Sequence, residues 1–327
     1  MKPSKVIDAV KTCIKAQRPA FIWGPPGVGK SDIVREVCKG LKLKIEDVRA
    51  VLLDPVDLRG LPTILEGEAQ WSIPSFLPKR PKTLLFLDEL NAAPPLVQAA
   101  CYQLILDRKI GDYTLPKDCV VVAAGNRETD RAVTSRMPSP LANRFVHINF
   151  EVDLDDWVAW ALAHNIKSEI IAFVRFRPEL LFKFDPSRNN EKAFPTPRSW
   201  QFTSEILEAN EVEDIEYELV TGIVGEGAAT ELTAFLRIYR DLPEPDVILM
   251  APDKAVVPAD PATLYAVCGA LPARAGEQTF TRLVKYANRL PTEFSVLLIR
   301  DCIKKGAKLV KTKAFIGWAS KHSDVLI

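Results

Sequence analysis

Gly24-Pro25-Pro26-Gly27-Val28-Gly29-Lys30-Ser31 is the stretch that decides the fold. It fits the pattern G-x-x-x-x-G-K-[ST], whose glycines let the backbone turn tightly and direct N–H groups at phosphate oxygens. Lys30 is expected to reach the β- and γ-phosphates, and the Ser31 hydroxyl to bind Mg²⁺. An apolar strand at 20–23 precedes the loop and a helix at 31–39 follows it, which disfavours a glycine turn that binds nothing. The stretch therefore predicts a site for a nucleoside triphosphate with Mg²⁺.

A second motif, residues 84–89, is an apolar run that ends in two carboxylates. A buried strand would bring Asp88 to the carboxyl edge of a parallel sheet, where such folds bind ligands. We expect Asp88 to hold Mg²⁺ and Glu89 to polarise an attacking water, as phosphoryl transfer requires. The alternative is an acidic helix cap. Residues 57–60 match the D-x-x-G of a GTPase switch, but the chain lacks an N-K-x-D motif, so the GTPase interpretation is weak.

Strands and helices alternate through the first half of the chain, which predicts a mostly parallel sheet covered on both faces. The predicted strands are 20–23, 49–53, 83–87, 119–124 and 146–150. Beyond residue 153 the pattern predicts helices at 153–164, 167–182, 197–209, 213–240 and 278–318. A run of prolines predicts a linker at 242–262. The predicted domains are 1–152, 153–241 and 242–327.

Composition narrows the function classes. The 327 residues include 43 basic and 42 acidic side chains, and a net charge of +1 gives no global attraction to nucleic acid or anionic membranes. Six scattered cysteines without a C-x-x-C pair argue against zinc and disulfides, and indicate buried thiols in a cytoplasmic protein. Residues 1–18 are typical of an amphipathic helix and lack the apolar region of a signal peptide. Without a run of ~18 apolar residues, we predict no membrane insertion.

The ordered set of motifs resembles the AAA+ ATPases, and among them the MoxR-like branch, over roughly residues 4–210. MoxR-like proteins carry an L-D-E-I-N-R-A-P-P string, from which residues 87–95 depart only at Leu90 and Ala92. The motifs that carry the resemblance are 24–31, 57–60, 87–95, 124–126, 141–145 and 197–200. The resemblance implies ATP as the nucleotide. It also implies a P-loop αβα sandwich with a parallel five-stranded core sheet, an all-α lid and here a helical C-terminal extension.

The same resemblance implies three further catalytic residues. Asn126 would be the sensor 1 residue that aligns water with the γ-phosphate, where the alternative is a turn asparagine. Arg144 would be an arginine finger that reaches a neighbouring subunit's nucleotide, with Arg131 and Arg136 as rivals. Arg198 would be the sensor 2 arginine of the lid, where the alternative is an ordinary salt bridge.

The resemblance further implies a homo-oligomer, expected to be a hexameric ring, that uses ATP hydrolysis to remodel or activate a protein client. A protein with a von Willebrand factor A domain is one such partner. Segments 59–82 and 109–116 are similar to family inserts that face a pore or partner, with passive loops as the alternative. The locally basic tail keeps open a nucleic-acid motor as a rival, and a nucleotide-dependent scaffold is a third class.

Overall fold

The structure is a computed structural model that describes residues 1–65, 68–130, 137–185, 192–210 and 212–323. The chain divides into two compact units. The first holds Met1–Trp157, the described part of 184–190, and Thr196–Arg198. The second holds Val158–Lys183, the described part of 191–195, and the residues from Ser199 onward. In the parts of the chain that are described, we find no helix with the length and apolar character of a membrane span.

A five-stranded parallel sheet organises the first unit. The strands are β1 (Ala20–Trp23), β2 (Lys44–Arg49), β3 (Pro62–Leu65), β4 (Glu68–Trp71), β5 (Thr83–Asp88), β6 (Lys109–Ile110), β7 (Tyr113–Thr114), β8 (Val120–Gly125) and β9 (Val146–Asn149). The sheet has the order β2-β5-β8-β1-β9, while β3-β4 and β6-β7 form separate two-stranded hairpins. Strands β5 and β8 are buried along almost their whole length, as continuously apolar parallel strands are. The predicted five-stranded parallel sheet is confirmed.

Helices cover both faces of this sheet. They are α1 (Pro3–Lys15), α2 (Lys30–Leu41), α3 (Pro55–Arg59), α4 (Pro95–Asp107) and α5 (Ser139–Ala142). On one face, Val97 and Cys101 of α4 pack in the same buried cluster as Leu85 and Leu87 of β5. All six cysteines of the chain are buried and free, which confirms the prediction of buried thiols.

The second strand corrects one expectation. The apolar residues at 50–53 predict a strand at 49–53, but the strand is Lys44–Arg49, and Ala50–Leu52 form a 3-10 turn. The physical reason is the position of β2 at the edge of the sheet, where it pairs with β5. An edge strand is half exposed, so its polar sequence lacks the apolar signature of a buried strand.

The second unit is helical, as predicted. The helices from 154 onward are α6 (Leu154–Ala163), α7 (Ser168–Phe176), α8 (Pro197–Ala209), α9 (Glu216–Val224), α10 (Glu226–Arg240), α11 (Pro245–Met250), α12 (Pro261–Ala270), α13 (Phe280–Ala287), α14 (Thr292–Lys305) and α15 (Lys313–Lys321). The unit boundary falls after Trp157 in α6 and after Arg198 in α8. Two long predicted helices, 213–240 and 278–318, are each interrupted. The first breaks at Gly225, whose φ of +83° and close approach to Ala193 O suit glycine alone.

The predicted linker at 242–262 is wrong in part, because it contains α11. An aromatic ladder joins helices on both sides of this segment within the second unit. The ring centroids of Phe235 (α10) and Phe176 (α7) lie 5.8 Å apart, and those of Phe176 and Tyr265 (α12) lie 6.0 Å apart. The centroids of Tyr265 and Phe294 (α14) lie 4.9 Å apart. Residues after 242 thus share packing with helices before it. The division into three domains, 1–152, 153–241 and 242–327, stays a prediction.

Candidate functional site

The loop at 24–31 lies between β1 and α2 and takes the conformation that its glycines allow. Gly27 and Gly29 have φ values of +76° and +95°, a region that favours glycine. Helix α2 begins at Lys30 with Gly29 as its N-cap, so the positive end of the helix faces the loop. A Cβ at Gly27 would lie 2.7 Å from Thr196 Oγ1, which shows how closely the backbone and Thr196 approach.

Lys30 lies in the concavity of this loop. Its side-chain Nζ donates to Gly24 O at 2.7 Å, to Pro25 O at 2.9 Å and to Asn126 Oδ1 at 2.8 Å. Asn126 follows β8 directly, and β8 is the neighbour of β1 in the sheet. The structure therefore brings together two of the predicted site residues that lie 96 positions apart in the sequence.

Burial lowers the pKa of Lys30 to about 8, from an ordinary value of 10.5. The charge of Arg198 lowers the pKa further, and the carboxylates of Asp88, Asp130 and Glu89 act in the opposite direction. A buried cation whose charge is under-compensated favours an anionic ligand, because the ligand would restore the lost solvation and stabilise the ammonium form.

Ser31 and Asp88 offer a pair of oxygens suited to Mg²⁺. Ser31 Oγ donates to Asp88 Oδ2 at 2.8 Å, and Asp88 ends β5. Adjacent ligands of an octahedral Mg²⁺ with bonds of 2.0–2.1 Å lie about 2.9 Å apart, so these two oxygens fit the ion. Among the described residues there is no group of three or more His, Cys, Asp or Glu side chains for a metal. Mg²⁺ held here would take its remaining ligands from water and phosphate, its usual mode.

Glu89 follows β5 in an unusual backbone conformation. Its φ of 55° and ψ of 33° lie in the left-handed region, and its N–H donates to Asp88 Oδ1 at 3.0 Å. Non-glycine residues adopt this region rarely, and such residues concentrate at functional sites. Glu89 is exposed at this turn, directly after Asp88.

Four arginines are candidates around the site, and the structure describes two of them. Arg198 lies at the loop, since its backbone N–H donates to Gly27 O at 3.1 Å and its charge acts on Lys30. Arg144 is exposed in the turn before β9. The rivals Arg131 and Arg136 lie outside the described residues.

Two residues of the site were not predicted to act there. Thr196 contacts the loop at Gly27, as described above, and is buried. Asn91, within the L-D-E-L-N string, is buried and donates from Nδ2 to Asn126 O at 2.7 Å. The position of Asn91 three residues after Asp88 is a local signal, but its partner lies on another strand and is set by the tertiary fold.

The D-x-x-G motif has a structural explanation. Asp54 and Asp57 form a capping box at the start of α3, in which Asp57 Oδ2 accepts from Asp54 N at 2.8 Å. Gly60 has a φ of +87°, and a Cβ there would lie 1.8 Å from Ser72 O. Both residues therefore fix the path of the chain into the β3-β4 hairpin, which weakens the GTPase interpretation further.

Comparison with known proteins finds one matching family and several similar solved structures. Residues 20–152 match the family described as "ATPase family associated with various cellular activities (AAA)", so the chain contains an AAA domain. One similar solved structure is NtrX from Brucella abortus in complex with ATP, with 14% identity, a TM-score of 0.42, and coverage of 98% of this chain and 67% of that one. Another is the RuvB Holliday junction branch migration motor of Thermotoga maritima, with 18% identity, a TM-score of 0.39, and coverage of 77% and 75%. Similarity at this level carries no functional conclusion.

Proposed function

We propose, from the premise that residues 20–152 are an AAA domain, that this chain binds ATP with Mg²⁺ and hydrolyses it to ADP and phosphate. The observation that carries the proposal is the convergence of Lys30, Asp88 and Asn126 at the carboxyl ends of β1, β5 and β8. These strands are neighbours in the sheet, and ligands of parallel α/β sheets bind at this edge.

Each residue has a role that its chemistry supports. Lys30 would neutralise charge on the β- and γ-phosphates, and Ser31 with Asp88 would hold Mg²⁺, which supplies further charge neutralisation when bound. The exposed carboxylate of Glu89 would orient the attacking water and accept its proton. The Asn126 amide, which already contacts Lys30, would align that water with the γ-phosphate.

The substitution Glu89→Gln tests the proposal. It keeps the size of the side chain but removes the base, so we expect ATP binding within about twofold of wild type and a kcat at least ~10²-fold lower. Lys30→Ala should abolish ATP binding. The control is Glu36→Gln, which changes an exposed glutamate of α2 and should leave both quantities unchanged. Unchanged turnover in Glu89→Gln would show that Glu89 does not activate the water.

We further propose that the protein is MoxR-like and works as a hexameric ring that remodels or activates a protein client, for which a von Willebrand factor A domain protein is the expected type. The departure of residues 87–95 from the MoxR-like string at only two positions supports this branch. In such a ring Arg144 would act on a neighbouring subunit's ATP, and its exposure suits that role. Arg198 would sense the γ-phosphate in cis.

A set of exposed lysines keeps one rival function open. Five of them lie within ten positions of the sequence, from the end of α14 to the start of α15: Lys304, Lys305, Lys308, Lys311 and Lys313. Such a cluster suits either a solvated surface or a phosphate backbone. ATP turnover that rises with DNA or RNA and falls steeply with salt would favour a nucleic-acid motor. Selective capture of one protein by Glu89→Gln in the presence of ATP would favour remodelling, and an intact phenotype in Glu89→Gln would favour a scaffold.

A further inference from the structure

The two strands that bring Asp88 and Asn126 to the site separate before they reach it. Strand β8 pairs with β1 up to Gly125, but its pairing with β5 ends at Leu87 and Ala123. Backbone pairing therefore fixes Asn126 relative to the phosphate loop but leaves it unfixed relative to the turn that carries Glu89.

Asn91 bridges this gap. It lies in the 3-10 turn Leu90–Ala92 that directly follows Glu89, and its Nδ2 donates to Asn126 O at 2.7 Å. The side chain is only 2% exposed, and its orientation follows from the contact, since the opposite orientation would place two acceptor oxygens together. A buried hydrogen bond between two uncharged groups, such as this one, holds the two loops at a fixed distance from each other.

Gly125 makes room for this amide. A Cβ at Gly125 would lie 1.9 Å from Asn91 Oδ1 and 2.9 Å from a ring atom of Phe21. The backbone of Gly125 is outside the left-handed region, so the requirement for glycine at this position comes from packing against Asn91 and Phe21.

We infer that Asn91 is a positioning residue for ATP hydrolysis, which holds the Glu89 turn against Asn126 and, through Asn126 Oδ1, against Lys30. This inference rests on the proposed function. Asn91 touches none of the reacting groups in this role: it sets the separation between the residue that activates the water and the residue that aligns it. Misplacement by about 1 Å can cost ~10²-fold in rate.

Gln98 provides a matched control within the same unit. It is also a buried amide, 1% exposed, that donates to one backbone oxygen, Ala93 O at 3.0 Å. Both amides leave their side-chain oxygen without a protein partner. Loss of either amide removes an equivalent hydrogen bond, but only the bond of Asn91 joins two loops of the site.

The test compares Asn91→Ala, Asn91→Asp and Gln98→Ala in the full chain by thermal unfolding, ATP binding and steady-state turnover. All three should lower the Tm, Asn91→Asp the most because it buries a carboxylate oxygen against Asn126 O, and all three should leave the Kd for ATP within about twofold. We expect kcat to fall ~10–100-fold in both Asn91 variants and less than twofold in Gln98→Ala. Asn91→Asp retains the volume of the side chain, so it remains informative if the alanine variant fails to fold.

A second readout is coupling. If Asn91 acts through Asn126, then Asn91→Ala combined with Asn126→Ala should lower kcat no further than the stronger single variant. Gly125→Ala should reproduce the loss in kcat, whereas Gly40→Ala, which meets open space, should not. Equal kcat in the Asn91 and Gln98 variants, or fully additive losses, would overturn the inference. Absence of ATP turnover in the wild type would instead reject the proposed function.

Discussion

At the scale of single residues, Lys30 combines burial with a charge that its neighbours compensate only in part. The sequence predicts Lys30, Ser31 and Asp88 as site residues because each role depends on local spacing within a loop or at the end of a strand. It does not predict the hydrogen bond from Asn91 to Asn126, because the two residues lie 35 positions apart and only the order of the strands in the sheet brings them together.

The lowered pKa of Lys30 leads to a prediction about pH. Below about pH 8 the ammonium is protonated in the free protein, and bound phosphate would raise its pKa in the complex. Above pH 8, binding must therefore take up a proton, so the Kd for ATP should rise about tenfold between pH 7 and pH 9. Fluorescence titration with a labelled ATP measures this change. In Lys30→Arg the guanidinium does not titrate, so any remaining affinity should show no such rise; a flat wild-type profile would contradict the prediction.

At the scale of elements, sequence patterns succeed where burial is uniform and fail where it is not. Strands β5 and β8 are apolar throughout, and their predicted positions agree with the structure within one residue at each end. Strand β2 lies at an edge of the sheet and has a polar sequence, so the apolar pattern used to predict strands does not detect it. The breaks between α9 and α10 and between α13 and α14 separate segments that are all helix-forming, so periodicity alone does not locate them.

A buried ion pair gives the prediction at this scale. Arg175 of α7 and Asp301 of α14 form two hydrogen bonds, with side chains 9% and 3% exposed. Asp301→Ala should destabilise the protein by about 3–5 kcal/mol, because it leaves the arginine charge buried and unpaired. Arg175→Met combined with Asp301→Leu should recover most of this loss. Denaturant unfolding followed by circular dichroism measures both; a loss below ~1 kcal/mol in Asp301→Ala would show that the pair is not needed to join these helices.

At the scale of the whole molecule, the residues around Lys30 include a candidate for every proposed role in ATP hydrolysis except that of the arginine finger. Lys30, Asp88, Glu89, Asn126 and Arg198 all come from the first unit, as the division of the chain places them. Arg144 belongs to the same unit and is exposed. The local sequence identifies Arg144 as a candidate arginine finger. The nucleotide on which it would act is bound by a second chain, so neither the sequence nor the structure of one subunit shows that contact.

Mixed assemblies test whether Arg144 acts between subunits. Arg144→Ala should lower ATP turnover by ~10³–10⁵-fold, because the charge of the transition state is no longer neutralised. Lys30→Ala should lose turnover because it does not bind ATP. In a mixture, a Lys30→Ala subunit supplies Arg144 to the intact nucleotide site of an Arg144→Ala neighbour, so part of the turnover should return. The measurement is turnover across mixing ratios, with Lys30→Ala mixed with the double variant as the control that cannot recover. If turnover does not recover at any ratio, although size-exclusion chromatography shows that the variants co-assemble, Arg144 does not act on the ATP of a neighbouring subunit.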